Sequence, residues 1–151
     1  MSINQAKRVN IVSLKMVKES SVMYEGRKIS QPRDAVEIGR KILDGSDREK
    51  LLLCCFNTKN EPTSLNIVSI GDLNTSIVHP REVFKVAILS NSASIILFHN
   101  HPSGDSTPSK EDILVTERIK EVGKIMGINL IDHIILGDND KYTSLKEQGI
   151  I

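Results

Sequence analysis

The stretch HNHPSGDSTPSKED carries two histidines, His99 and His101, and an aspartate, Asp112, beyond a short loop rich in Pro, Gly and Ser. On a strand, residues two apart point to the same side. Both imidazoles therefore face one point in space if the run SIILFHNH is extended to its end. Neutral imidazole is the commonest transition-metal ligand, and zinc–nitrogen bonds of ~2.0–2.1 Å demand such convergence. The loop PSGDSTP turns the chain, and Asp112 arrives in the first turn of the next helix, where its carboxylate can return to the histidines as a third ligand. Two histidines and one carboxylate leave the fourth tetrahedral position of zinc to water, the arrangement of a catalytic site rather than a structural one. Zinc lowers the pKa of such a water to about 7. A further carboxylate would be needed to take and return protons.

Each part has a plainer explanation when taken alone. Ser109-Lys110-Glu111-Asp112 has the pattern of a helix capping box, with Ser109 as N-cap and Asp112 reaching back. An isolated H-x-H is common by chance. The conjunction of same-face histidines at a strand end, a turn-forming loop and an acid at a helix start favours a metal site. Two other H-x-H architectures do not fit. A (β/α)₈ barrel needs ~250 residues, whereas this chain has 151. A cupin-like barrel needs many strands and few helices, and helical patterns fill much of this sequence.

The elements that must position these residues are readable from periodicity and punctuation. VNIVSLKMVKES alternates in part and predicts an exposed strand near residues 9–17, able to pair with its own sheet or with another chain. MYEGRK follows as a short extended piece or a turn. Gln31-Pro32-Arg33 opens a helix with Ala35, Ile38 and Ile42 on one face, stopped by Gly45. LLLCCFN and SLNIVSIG, separated by the turn Thr58-Lys59-Asn60, form an antiparallel hairpin. SIVHPREVFKVAILS places Pro80 at a helix start, with Val83, Val86 and Ala87 at helical spacing. A long helix from about Ser109 to Met126 carries the stripe Val115, Ile119, Val122 and Met126 and ends at Gly127. INLIDHIILG is the last clear strand, and YTSLKEQGII a short terminal segment. The expected fold is α/β in three layers, a mixed, mainly antiparallel sheet flanked by helices.

Composition narrows the function. Lys and Arg number 20 against 19 Asp and Glu, so there is no broad electrostatic pull toward nucleic acid or an anionic membrane. Lys7, Arg8, Lys15, Lys18, Arg27 and Lys28 are read as a solvated face. Aromatics are only 3% and Trp is absent, which leaves little for stacking single-stranded bases. No apolar run approaches the ~20 residues of a membrane span, and no signal-peptide apolar region opens the chain. Cys54 and Cys55 are neighbours, where a disulfide would be strained. They read as reduced, structural cysteines of a cytoplasmic protein.

HNHPSGDSTPSKED also resembles the signature of the JAMM (MPN+, JAB domain) metalloprotease family: H-x-H-P, seven residues after the second histidine, then S-x-x-D. With HPREVF and DHIILG, the likeness is closest to the RadC-like branch, bacterial proteins long labelled as DNA repair factors, and covers residues 33–151. Residues 1–32 then stand as a strand-forming N-terminal extension. The resemblance implies a JAB/MPN, cytidine-deaminase-like fold with zinc on His99, His101 and Asp112. It implies that Ser109 donates a hydrogen bond to the oxyanion. It also implies a glutamate general acid/base on an upstream strand, for which Glu49 in DREKLLLCCF is the best match. Glu82 in HPREVF is the rival, although the helix dipole already explains an acid there, and Glu61 is a turn residue. His79 reads as a capping or packing residue, and His133 as a hydrogen-bonded core group. Asp132 is a candidate to orient a ligand histidine, and Asp105 a turn residue.

The expected activity is a zinc metallohydrolase, a peptidase or isopeptidase acting on a peptide or other amide-bearing substrate. The competing expectations are a non-catalytic interaction module in DNA repair or a mobile element, and a hydrolase of small amides. The helix-hairpin-helix region that often precedes RadC-like domains has no counterpart before Asp34, so DNA binding is not implied. Nor are the long insertions of eukaryotic deubiquitinating relatives present.

Overall fold

The structure, a computed structural model, describes residues 4–26, 28–71 and 78–151. Arg27 of the basic set, and Ser76 and Ile77 ahead of the second helix, lie outside them. The elements run α1 (Pro32–Leu43), β1 (Lys50–Phe56), β2 (Pro62–Ile70), α2 (Pro80–Leu89), β3 (Ser94–Asn100), α3 (Lys110–Met126), β4 (Asn129–Leu136) and β5 (Tyr142–Ser144). One sheet has the order β2-β1-β3-β4-β5. Among the described residues only the β3–β4 pairing is parallel, so the sheet is mixed and mainly antiparallel, as expected. A parallel pair needs a crossover, and α3 supplies it.

Alternation on β1 and β3 divides the core. Leu51, Leu53, Cys55, Ile95 and Leu97 pack under α2 and α3 with Val83, Phe84, Ala87 and Ile119. Leu52, Cys54, Phe56, Ile96 and Phe98 face α1 with Ala35, Val36 and Leu43. These two central strands are buried on both sides, so they read as continuous apolar runs. Full burial of such side chains stabilises by about 1.5–3 kcal/mol each. Cys54 and Cys55 are free thiols on opposite faces, and burial pushes the Cys54 thiol well above its ordinary pKa.

The helix boundaries follow the local chemistry. Asp34 accepts from the Ser30 and Gln31 N–H groups at the start of α1, and Gly45 takes a left-handed φ of 78° just past its end. Ser109 caps α3, and Gly127 closes it in the left-handed conformation. Of the predicted α3 stripe, Val115, Ile119 and Val122 pack on the core and Met126 does not. Asp112, Thr116, Ile119 and Gly123 are the buried positions, and Met126 is exposed. Gly123 has to be small, because a Cβ there would stand 2.4 Å from the Ile128 carbonyl oxygen.

The strand expected over residues 9–17 does not form. Residues 4–26 contain no helix or strand, and Val9, Ile11, Val12, Leu14 and Val17 are exposed. Val9 and Ile11 alternate onto one face while Val12 and Leu14 alternate onto the other, so no register on a single sheet edge hides them together. The segment touches the domain where the Ser90 hydroxyl donates to Met16 Sδ and where Lys41 donates to the Met23 carbonyl. Among the described residues, no helix is long and apolar enough to cross a membrane.

Candidate metal centre

Strand polarity gathers the chemistry at one end of the sheet. β1 runs antiparallel to β3, with Leu51 opposite His99. The residues just before β1 therefore lie beside the residues that end β3. Continuing the register sets Glu49 across from His101, on the face that carries His99. The Glu49 carboxylate stands 3.4 Å from His99 Nε2, and donor atoms of Glu49, His99 and His101 all lie within 4.8 Å of one another.

Asp112 enters from α3 and is fully buried. Its Oδ1 accepts from His99 Nδ1 at 2.9 Å, and its Oδ2 accepts from the Ser109 N–H at 2.8 Å while lying 3.2 Å from His101 Nε2. In return the Ser109 hydroxyl accepts from the Asp112 N–H at 3.1 Å, completing the capping box. Burial drives the Asp112 pKa upward, the largest single influence. The hydrogen bonds from His101, His99 and the Ser109 backbone outweigh it and hold the carboxyl well below the ordinary range. Asp112 also raises the pKa of His101, against the effect of desolvation.

These contacts set the tautomers. His99 gives its Nδ1 proton to Asp112, and His101 gives its Nδ1 proton to the Asp105 carbonyl at 2.8 Å. His99 then turns an unprotonated Nε2 toward the centre, the form that binds a metal, whereas His101 Nε2 gives its proton to Asp112 Oδ2, a proton that a bound metal would replace. His99 Nε2 is buried and makes no hydrogen bond, an arrangement that costs free energy unless something fills it. Two ligands on a tetrahedral zinc at ~2.0–2.1 Å stand about 3.3 Å apart. The His101–Asp112 separation matches that edge, and the donor atoms that gather within 4.8 Å of one another, those of Glu49, His99 and His101, fit a metal cofactor, with Asp112 outside that group.

The loop between the ligands is held from the other side of β3. The His101 N–H donates to the Leu136 carbonyl, Gly104 N–H to the His101 carbonyl and Asp138 N–H to the Gly104 carbonyl, each at 2.9 Å. Asp105 makes the expected turn, its Oδ1 accepting from the Thr107 N–H and hydroxyl. Its carbonyl contact with His101 was not foreseen.

One expectation is overturned, and the remaining acids and histidines lie away from the centre. Asp132 orients no ligand histidine. Its carboxylate accepts from the Ser144 hydroxyl and from the N–H groups of Lys146 and His133. The register of β4 shifts between Leu130 and Asp132, which turns Asp132 away from the ligands. Glu82 is an exposed residue of α2 paired with Lys85, and Glu61 sits in the hairpin, bonded by Asn57. His79 is the exposed N-cap of α2 with no side-chain cap bond. His133 is buried, as expected. The Thr116 hydroxyl donates to the Asp112 carbonyl at 2.6 Å, so His133 Nδ1 donates to Thr116 at 2.6 Å. Thr116 gave no signal beyond its place one turn after Asp112.

Comparison with known proteins agrees with the fold. A family model described as the RadC-like JAB domain matches residues 29–150. A UPF0758 protein of Methanosarcina barkeri is 47% identical over 133 residues, covering 88% of this chain and 58% of its own length. One from Desulforamulus reducens is 54% identical over 120 residues, covering 80% of this chain and 52% of its own. One from Clostridium botulinum is 49% identical over 152 residues, covering 99% of this chain and 66% of its own. The chain thus spans between about half and two thirds of the length of these relatives.

Proposed function

The chain belongs to the RadC-like JAB domain family, and on that premise we propose that residues 33–151 form a zinc-dependent hydrolase that cleaves an amide bond in a peptide or isopeptide. His99 and His101 through Nε2, and Asp112 through Oδ2, would hold the metal. Bound zinc would act as a Lewis acid and lower the pKa of a coordinated water to about 7. Glu49 is the general acid/base. Its side chain is 26% exposed, against 2% for His99 and none for Asp112, so it can reach both the centre and an arriving substrate. Ser109 keeps its hydroxyl proton, because its oxygen accepts from the Asp112 N–H. That proton is available to the oxyanion of a tetrahedral intermediate.

The observation that carries this reading is the buried His99 Nε2, without a hydrogen bond and 3.4 Å from a carboxylate. His133 Nε2 is also buried without a partner, but His99 Nε2 has the donor atoms of Glu49 and His101 gathered around it. The test pairs metal analysis with hydrolysis of an internally quenched peptide and isopeptide library by the whole chain. Wild type should bind one zinc and cleave members of the library. Glu49→Gln should bind zinc as tightly and lose hydrolysis by about 10²–10⁴-fold. Full activity in Glu49→Gln, or a wild type that takes up no zinc, would refute the assignment.

A further inference from the structure

The residue between the two histidines is as constrained as they are. Asn100 is 7% exposed, and its side chain bridges to residues that precede the centre by fifty positions. Its Oδ1 accepts from the Lys50 N–H at 2.8 Å, and its Nδ2 donates to the Arg48 carbonyl at 3.0 Å. Those two backbone groups flank Glu49. On the other side of the chain, the Gly71 N–H donates to the Glu49 carbonyl at 2.7 Å.

We infer that Asn100 is a positioning residue, a side-chain clamp that fixes the backbone of Glu49 against the centre. The inference rests on Glu49 as the acid/base. β1 begins only at Lys50 and the preceding Asp47 and Arg48 are exposed, so Glu49 sits where a strand end would fray. A primary amide is a planar group carrying one acceptor and one donor side by side. It therefore copies the peptide unit that a longer neighbouring strand would have presented, and extends the ladder past its end. A carboxylate lacks the donor, an aliphatic side chain lacks both, and a hydroxyl is too short to span the two groups. Because the clamp stands between the proposed ligands in the chain, one tripeptide at the end of β3 supplies two metal ligands and the support of the base. No flexible segment separates them. A displacement of about 1 Å in a reacting group can cost about 10²-fold in rate, so this rigidity sets how well Glu49 works.

The test uses the whole chain and the variants Asn100→Ala, Glu49→Gln and their combination. Asn100→Asp, which keeps the acceptor for Lys50 and loses the donor to Arg48, is the second variant should the alanine protein fold poorly. In Asn100→Ala the Lys50 amide should exchange at least about tenfold faster, with zinc affinity within about threefold of wild type. Hydrolysis of the best-cleaved library peptide should lose about 10–100-fold in kcat at unchanged KM. The visible spectrum of the cobalt(II)-loaded protein should shift in the direction produced by Glu49→Gln, and the double variant should match Glu49→Gln alone. Unchanged protection of Lys50, or a double variant whose spectrum moves by the sum of the two, would overturn the clamp. A wild-type spectrum and full hydrolysis in Glu49→Gln would instead overturn the base assignment, with Lys50 exchange still deciding whether Asn100 holds the strand.

Discussion

Substituting Asp112 by Asn changes two atoms at the point where helix cap and metal centre share a side chain. Asp112 accepts from His99 Nδ1 on one oxygen and from the Ser109 N–H on the other. An amide has one acceptor, so whichever way it is turned its NH₂ faces a donor. If it faces Ser109, a half-buried N–H loses its partner, at a cost of up to about 1–3 kcal/mol. If it faces His99, the ring escapes the conflict by moving its proton from Nδ1 to Nε2. That tautomer blocks the nitrogen that should bind zinc. The first outcome lowers the apo melting temperature by about 2–4 °C per kcal/mol for a domain of this size. Both remove the Oδ2 charge beside His101. Loss of a supporting group alone typically costs 10–100-fold in metal affinity, so loss of a ligand should exceed about 100-fold, or about 2.7 kcal/mol. Competition titration against a chromophoric chelator reads the affinity, and imidazole ¹⁵N shifts read the tautomer. Zinc affinity within about threefold of wild type, with His99 still protonated at Nδ1, would refute the role given to Asp112.

Two further perturbations test the surroundings of the centre. His133 is held neutral by desolvation, with the neighbouring His99 adding to the effect, and its pKa is pulled down to about 3. Its folded pKa lies below its unfolded value, so its contribution to stability is complete above about pH 6.5 and is lost as pH falls from there toward about 3. Between about pH 6.5 and about pH 4.5 the apo protein should lose on the order of 2–3 kcal/mol through this group. His133→Asn, which keeps a donor for Thr116, should flatten that part of the profile in thermal melts. Parallel profiles for the two proteins would contradict it. Gly104 has a φ of 88°, and a Cβ there would lie 2.1 Å from Asp138 Oδ2. Gly104→Ala should cost about 1–2 kcal/mol in backbone strain and loosen the loop under His101. Zinc release measured by stopped-flow chelation should then be faster, and an unchanged rate would mean that this anchor does not hold His101.

Much of this architecture could be read from local pattern. The β1–β2 hairpin, α1 and α3 followed from apolar runs, capping residues and glycine stops, because these signals act within one turn or one ladder. What depended on distant partners was not legible. The N-terminal alternation predicted a strand, yet a strand exists only where a neighbour offers its backbone. β5 has three residues, too few for a period. Asp132 has the residue type to support a ligand histidine, but the shift in β4 register decides which way it points. Asn100 carried no local mark at all, since its bonds join segments fifty residues apart. Asp112 was read either as a cap or as a metal group, and its two oxygens serve both sets of contacts at once.

The topology explains why so few residues assemble such a centre. A parallel β3–β4 pair forces a crossover to leave from the C-terminal end of β3, and the first turn of that crossover, α3, brings Asp112 over the strand end. The antiparallel β1 begins at the same end and brings Glu49. His99 and Asp112 are sealed beneath α3, while the side chains of His101 and Glu49 keep 12% and 26% exposure. On the proposed function, a substrate would arrive over Glu49 and His101 and meet Glu49 before the buried donors. A carboxylate on that open side suits proton transfer to an arriving group, whereas Asp112, fully enclosed and already bonded at both oxygens, suits a fixed ligand. Exchanging the two roles would place the proton carrier where no leaving group can reach it.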